Sequence, residues 1–202
     1  MRPARVAVRA ETVVRPDLGP WAAAWDDLVD RMPLPSPFLR SWWLAHVAVG
    51  EPTFVLVVDG DELLGGIALQ RSVRLGCEVL EMLGDGPLEP DHLDLVAAVP
   101  HVATVSDAVG RWLSRRGNRV VDLMGLVDDS WVAAVLPRRT EIVRQWAPYA
   151  PLPATHAEYV AARTGQVRST ITRSGKRLAK AGVEVRIRDT TDPAEVDAAL
   201  DD

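Results

Sequence analysis

Cysteine is almost missing from this chain of 202 residues, because Cys77 is the only one. A single cysteine excludes an internal disulfide and a zinc site built from several thiolates. No apolar run reaches 18 residues, which argues against a membrane-spanning helix. The first 11 residues carry charges where a secretory signal needs an apolar stretch. These absences predict a cytoplasmic protein with no membrane span and no bound metal.

Lysine is also scarce, and positive charge is unevenly placed. Only Lys176 and Lys180 are lysines among 23 basic residues. The net charge of −5 gives no general reason to expect a DNA-binding protein. Residues 163–188, however, hold eight basic residues against Glu184 alone, a net charge of +7 that leaves −12 for the rest of the chain. One concentrated basic segment in an acidic protein is the first indication of a ligand-facing surface.

Residue spacing predicts an α+β first half, made of a mainly antiparallel mixed sheet flanked by helices. The second helix opens at Ser36-Pro37, with Phe38, Trp42, Ala45 and Val49 as its expected apolar side. We expect Asp128 or Asp129 to cap a later short helix. The expected strands are a first one near Val6–Val13, then 53–59, 62–70, 77–83, 119–124 and 140–146; the expected helices are 21–32, one from Ser36, 100–116 and 128–136.

The proline-rich residues 148–153 predict a boundary between a first domain, 1–150, and the beginning of a second, 151–202. In the second part, spacing predicts helices at 156–163 and 167–181, the latter closed by Gly182. A strand over 183–187 and a helix from Asp192 follow. That last helix has barely two turns before residue 202, so we expect a truncated second domain.

The predicted helix over 167–181 carries most of the basic residues. Arg168, Thr172, Lys176 and Lys180 recur at intervals of four, with Arg173 and Arg177 beside them. One interpretation is a site for phosphates or another polyanion, with Ser169 and Thr170 as donors in the first helical turn. The other is a solvated helix face balanced by acidic groups elsewhere in the chain. The spacing alone leaves both open.

Other motifs point to structural roles. Asp91 and Asp94 in the run Asp91-His92-Leu93-Asp94 are possible metal ligands, but a helix cap or a loop hydrogen-bond network fits this isolated pair better. Cys77 opens an apolar strand, which is typical of a small buried residue. The sequence contains no serine nucleophile elbow and no phosphate-binding loop of the Walker type.

The order of predicted elements and several short motifs resemble the N-terminal part of GNAT-superfamily acetyltransferases of the BioF2-like type, also called CelD-like. These are distantly related to the FemAB peptidoglycan aminoacyltransferases. The resemblance covers essentially the whole chain. It is carried by a strand, two tryptophan-rich helices, a hairpin and a further helix, with the motifs Asp59-Gly60, 65–69 (Gly-Gly-Ile-Ala-Leu), Asp91-His92-Leu93-Asp94 and 168–182 (Arg-Ser-Thr-Ile-Thr-Arg-Ser-Gly-Lys-Arg-Leu-Ala-Lys-Ala-Gly).

The resemblance implies a protein of two GNAT-like halves that transfers an acyl group from acetyl-CoA, or another acyl-CoA, to an amine or hydroxyl of a small-molecule or saccharide acceptor. The family's pyrophosphate loop, Gln/Arg-x-x-Gly-x-Gly/Ala, has no match here, and we expect it in residues beyond the 202. No catalytic base is identified. The substrate- or phosphate-binding candidates are Arg168, Ser169, Arg173, Lys176 and Arg177.

Two other functions stay open. The chain is a non-catalytic binding half-domain if these residues only recognise a partner or an envelope glycan. It is an aminoacyl-tRNA-dependent transferase, as in FemAB proteins, if the basic helix contacts RNA phosphates. Transfer RNA is a predicted partner only in this last case.

Overall fold

The computed structural model describes residues 10–86, 88–136, 139–140 and 152–183. Contacts divide the chain into two compact units, Met1–Glu141 and Ile142–Asp202. The described strands are β1 (Glu11–Arg15), β2 (Glu51–Asp59), β3 (Glu62–Arg74), β4 (Cys77–Met82), β5 (Val96–Ala97) and β6 (Arg119–Asp122). The described helices are α1 (Ala22–Asp30), α2 (Ser41–Leu44), α3 (Val102–Leu113), α4 (Trp131–Val135), α5 (His156–Ala161) and α6 (Gly165–Lys180).

All six strands belong to one mixed sheet in the first unit. Its order is β1-β2-β3-β4-β6, and the short β5 pairs with β3 beside β4. The pairs from β1 to β4 are antiparallel, which confirms the predicted meander. β6 runs parallel to β4, as the crossover through α3 allows. The predicted α+β class with a mixed sheet and flanking helices is therefore confirmed.

The two central strands are buried along most of their length. Residues 54–58 of β2 and 63–70 of β3 are all buried, so both faces of the sheet are covered at this point. Trp25 of α1 is fully buried and its ring meets Phe54 of β2 edge to face, with centroids 6.2 Å apart. Its indole Nε1 also donates a hydrogen bond of 2.7 Å to the carbonyl of Leu39. One tryptophan thus joins α1, β2 and the turn that precedes α2.

Close backbone contact on either side of β3 requires the dipeptide Gly65-Gly66. A Cβ on Gly65 would lie 2.2 Å from the carbonyl oxygen of Val96 in β5, and the φ of Gly65 is +154°. A Cβ on Gly66 would lie 2.4 Å from the carbonyl oxygen of Val55 in β2. Any side chain here would push neighbouring backbone apart, so the glycines allow β2, β3 and β5 to form one sheet.

The expected second helix is wrong in its length and in its buried side. Pro37–Leu39 forms a 3-10 turn, extended backbone at Arg40 interrupts it, and α2 has only four residues. Trp42 and Val49, which we expected to be buried, are 59% and 74% exposed, whereas Leu39 and Leu44 are buried. The physical reason is a contact distant in sequence: the carboxylate of Asp26 accepts hydrogen bonds from the backbone N–H and hydroxyl of Ser41, which starts a new helix there.

The second unit contains two helices close to their predicted positions, α5 for 156–163 and α6 for 167–181. The predicted boundary at 148–153 lies mostly outside the described residues. The same is true of the strands expected at 140–146 and 183–187 and of the helix expected from Asp192. The first strand, expected near Val6–Val13, is described only from residue 10, and there β1 covers Glu11–Arg15. No helix in the described part of the chain has the length and apolar character needed to cross a membrane.

The close contact at β3 leads to a stability prediction. Gly65→Ala should lower the free energy of unfolding by about 3 kcal/mol, because the added Cβ overlaps the carbonyl of Val96. Gly117→Ala is the matched control, since its Cβ would have only the Arg119 side chain at 4.0 Å. Urea unfolding followed by circular dichroism measures both variants. Equal midpoints for the two would contradict the steric role of Gly65.

Candidate functional site

The helix that carries the candidate binding residues begins and ends with strong local signals. Thr164 is its N-cap and accepts a hydrogen bond from the N–H of Val167. At the other end Gly182 has φ +69°, the N–H of Val183 bonds to the carbonyl of Leu178 and that of Gly182 to Ala179. These bonds form a Schellman motif, which confirms the predicted role of Gly182.

All five candidates lie on α6 and are exposed to solvent. At 3.6 residues per turn, Ser169, Arg173, Lys176 and Arg177 project from one side of the helix. Val167, Ile171 and Leu178 project from the opposite side and are 37–42% exposed. The spacing that predicted a basic face on this helix is therefore present in the structure.

Arg168 differs from the other cations because its side chain has backbone partners. Its Nη1 donates hydrogen bonds to the carbonyls of Ala161, at 3.2 Å, and Arg163, at 3.0 Å. Ala161 is the last residue of α5. The guanidinium of Arg168 therefore lies at the carbonyl end of α5, where a cation is also favoured by the helix dipole.

Ser169 lies deeper in α6 than the sequence predicted. The helix begins at Gly165 rather than at Val167. The backbone N–H groups of Ser169 and Thr170 therefore fall within the helical hydrogen-bond ladder and are not free donors at its first turn. The Thr170 hydroxyl donates to the carbonyl of Gln166 at 3.0 Å. The Ser169 hydroxyl remains on the basic side of the helix.

Lys176 and Arg177 have no carboxylate within ion-pair distance among the described residues. Residues 165–180 contain no acidic residue at all. Arg177 and Lys180 lie in the last turn, where positive charge stabilises the helix through its dipole. Arg177 and Lys180 thus stabilise α6 itself, while their charged groups stay available to an anion.

Asp94 in the first unit is a buried carboxylate with four hydrogen-bond donors. Oδ1 accepts from the N–H groups of Leu95 and Val132 and from the hydroxyl of Ser130, and Oδ2 accepts from the N–H of Trp131 at 2.7 Å. Burial raises the pKa of Asp94, although these hydrogen bonds act in the opposite direction. The expected loop hydrogen-bond network is therefore confirmed for Asp94.

The same contacts correct the predicted cap of the short helix near residue 130. Ser130, not Asp128 or Asp129, is the N-cap of α4 and accepts from the N–H of Ala133 at 3.2 Å. Asp94 satisfies the N–H groups of the two residues that follow Ser130. Sequence spacing missed the contribution of Asp94, because this residue lies in a loop 36 residues before Ser130.

Charged side chains also connect four strands of the sheet. Arg71 of β3 pairs with Glu51 of β2 at 2.6 Å and with Glu78 of β4 at 3.6 Å. Glu78 in turn pairs with Arg119 of β6 at 2.8 Å, and the Arg119 guanidinium lies 5.3 Å from the ring centre of Trp112. The hydrogen bond with Glu51 raises the pKa of Arg71. The row from Glu51 through Arg71 and Glu78 to Arg119 therefore has a structural role in the sheet.

An open acidic cleft of about 560 Å³ lies beside α1 and the turn between β2 and β3. Four of its lining residues are carboxylates, and Arg31, which also lines it, donates to the carbonyl of Asp27. The sequence analysis did not single out this cleft, because it combines residues of α1 with a distant hairpin turn. It is lined by Trp21, Ala24, Asp27, Arg31, Asp59, Asp61, Glu62 and Leu63.

Cys77 is partly exposed rather than buried as expected. Its Sγ lies 2.8 Å from Oδ1 of Asn118, to which it donates, at the start of β4. Asn118 also donates to the carbonyl of Gly76. These contacts connect the β3–β4 turn to the residue before β6.

Comparison with family models, with curated proteins and with solved structures finds no match. Within the described ranges, no group of three or more His, Cys, Asp and Glu residues is arranged to hold a metal ion.

The four hydrogen bonds of Asp94 predict its contribution to stability. Asp94→Ala should lower the free energy of unfolding by about 2–3 kcal/mol, because it leaves the buried N–H groups of Trp131 and Val132 unpaired. Asp91→Ala, in the same loop but exposed, should change it by less than about 0.5 kcal/mol. Chemical denaturation of both variants is the measurement, and equal losses would contradict the cap.

The raised pKa of Asp94 also predicts a pH dependence. The pKa of Asp94 is higher in the folded chain than in the unfolded chain, so its protonated form favours folding. This contribution is complete below pH 3.8, the ordinary pKa of the group, and is lost as pH rises through the pKa of the folded chain. Asp94→Asn carries an amide that does not titrate, so the free energy of unfolding of the wild type minus that of the variant should fall as pH rises. A value that rises with pH would contradict this assignment.

Proposed function

We propose that the chain is part of a GNAT-type acyltransferase that uses acetyl-CoA or another acyl-CoA and acylates an amine or hydroxyl on a small molecule or cell-envelope saccharide. The order of elements supports this proposal more than any single residue does. A strand, two helices, an antiparallel meander, a helix and a strand parallel to β4 follow one another in the first unit. The part of this order that runs as far as α3 is the one on which the resemblance to the BioF2-like enzymes rests.

The basic side of α6 supplies the phosphate-binding part of the proposal. Coenzyme A carries a pyrophosphate and a further phosphate, and exposed cations at intervals of three and four residues raise the local positive potential. Arg173, Lys176 and Arg177 meet this requirement on a helix without acidic residues. They hold the phosphates, while the acyl group and the acceptor are positioned by residues that we do not assign.

The first unit itself offers no pyrophosphate loop. The connection from β4 to α3 contains no Gln/Arg-x-x-Gly-x-Gly/Ala pattern. A turn with Pro100 at its centre leads into α3, and proline has no backbone N–H to donate to a phosphate. The proposal therefore assigns co-substrate binding to the second half and a supporting role to the mixed sheet.

The aminoacyl-tRNA-dependent reaction is the second candidate, and one observation favours it. The cations of α6 that do not bond to the end of α5 extend from Arg173 to Lys180, about 10 Å along the helix axis. This row is longer than a single pyrophosphate and suits an extended chain of phosphates. RNA binding whose affinity falls steeply with salt would favour this candidate.

Titration calorimetry of the full 202-residue chain with acetyl-CoA tests the proposal. We expect saturable binding that weakens about tenfold in the double variant Lys176→Ala/Arg177→Ala, because two exposed ion pairs with phosphate are lost. The matched control is Arg115→Ala/Arg116→Ala, which removes the same charge from exposed positions after α3 and should leave the affinity unchanged.

Two results would contradict the proposal. Absence of acetyl-CoA binding by the wild-type chain would remove the phosphate role of α6. Equal weakening in the Lys176/Arg177 and Arg115/Arg116 double variants would show that only net charge matters. A parallel gel-shift titration with transfer RNA at two salt concentrations separates the second candidate from the first.

A further inference from the structure

The side chain of Arg168 is occupied by the protein itself. Its Nη1 donates to two carbonyls, those of Ala161 and Arg163, which are free because α5 ends there. Beside it, the guanidinium of Arg163 lies 4.1 Å from the ring centre of Tyr159. Thr164, between Arg163 and α6, caps that helix. The three residues of the turn between α5 and α6 are therefore held by contacts from both helices.

The remaining cations form a compact group. Arg173, Lys176, Arg177 and Lys180 follow the spacing i, i+3, i+4 and i+7, which places them on one side of α6 over about 10 Å. The only hydrogen bond from any of these four side chains in the described part of the chain is from Arg173 Nε to the carbonyl of Ser169, at 3.4 Å. Arg168 lies more than a turn away from this group and points its charge at α5 instead.

We propose that Arg168 is a positioning residue and that the anion site consists of Arg173, Lys176, Arg177 and Lys180, which we call the four-cation patch. This inference rests on the proposed function, and it changes the candidate binding set by removing Arg168 and Ser169 and adding Lys180. The patch takes a ligand with two or more phosphate groups. Such phosphates come either from coenzyme A or from a nucleotide diphosphate on the acceptor.

A lysine at 180 is compatible with phosphate binding by the patch. Each phosphate oxygen accepts hydrogen bonds from several donors, and flexible lysine side chains reach it from different directions. Lys176 and Lys180, the only lysines of the chain, are both in the patch. Arg168, by contrast, donates from Nη1 to two backbone carbonyls, those of Ala161 and Arg163.

The experiment uses the full chain with inorganic pyrophosphate, coenzyme A and uridine diphosphate as probes in separate calorimetric titrations. Lys180→Ala should weaken pyrophosphate binding about two- to fivefold, as should Lys176→Ala. Arg168→Ala should change the affinity less than twofold. The probe that binds more tightly than pyrophosphate identifies the source of the phosphates.

Hydrogen exchange gives a second readout, which a ligand contact alone would not change. In Arg168→Ala, the amides of residues 162–168 should exchange about three- to tenfold faster, because two hydrogen bonds that hold the turn are lost. Lys180→Ala should leave these amides unchanged, and Arg168→Lys should restore part of the protection.

The outcomes separate this inference from the proposed function. If the wild type binds neither pyrophosphate nor coenzyme A, the proposed function and the patch both fail, and hydrogen exchange still decides the role of Arg168. If the wild type binds but Lys180→Ala is unchanged, or Arg168→Ala loses as much affinity as Lys176→Ala, the inference is overturned and the proposed function stands. Unchanged exchange in Arg168→Ala overturns the positioning role.

Discussion

The close approach of β3 and β5 at Gly65 determines the positions of several other elements of the first unit. Because β5 can lie against β3 there, Val96 and Ala97 continue the sheet beside β4. That pairing fixes the loop just before β5, which includes Asp94. From this position the carboxylate reaches the start of α4, and α4 packs on α3. A glycine without a side chain thus governs the placement of a helix 66 residues further along the chain.

The sequence predicted those parts of the fold whose information is local. Alternating and continuous apolar runs were enough for β2, β3 and β4, and helical spacing was enough for α3 and α6. The predictions failed where a distant polar group decides the structure. Asp26 starts α2 at Ser41, and Asp94 starts α4 at Trp131. Both carboxylates are distant in sequence from the helix whose N–H groups they accept, so a local window shows only the N-cap Ser130 and not Asp26 or Asp94.

The candidate site shows the same division. Spacing placed its cations correctly on one helix, since every residue involved lies within four turns. It did not show that Arg168 bonds to the end of α5, because this depends on where that helix stops and how the intervening turn bends. It also did not reveal the row from Glu51 to Arg119, which requires the register of four strands. Apart from the loop network of Asp94, the side-chain roles that the sequence predicted are those whose geometry follows from a single helix.

The partly exposed Cys77 allows a probe to be attached to the sheet by thiol labelling. As the only thiol of the chain, it offers a maleimide or nitroxide reagent one position, so a probe attached there reports on one location. The label would lie where the β3–β4 turn meets Asn118. Its mobility would therefore monitor the parallel pairing of β4 with β6 separately from events at α6, in the other compact unit.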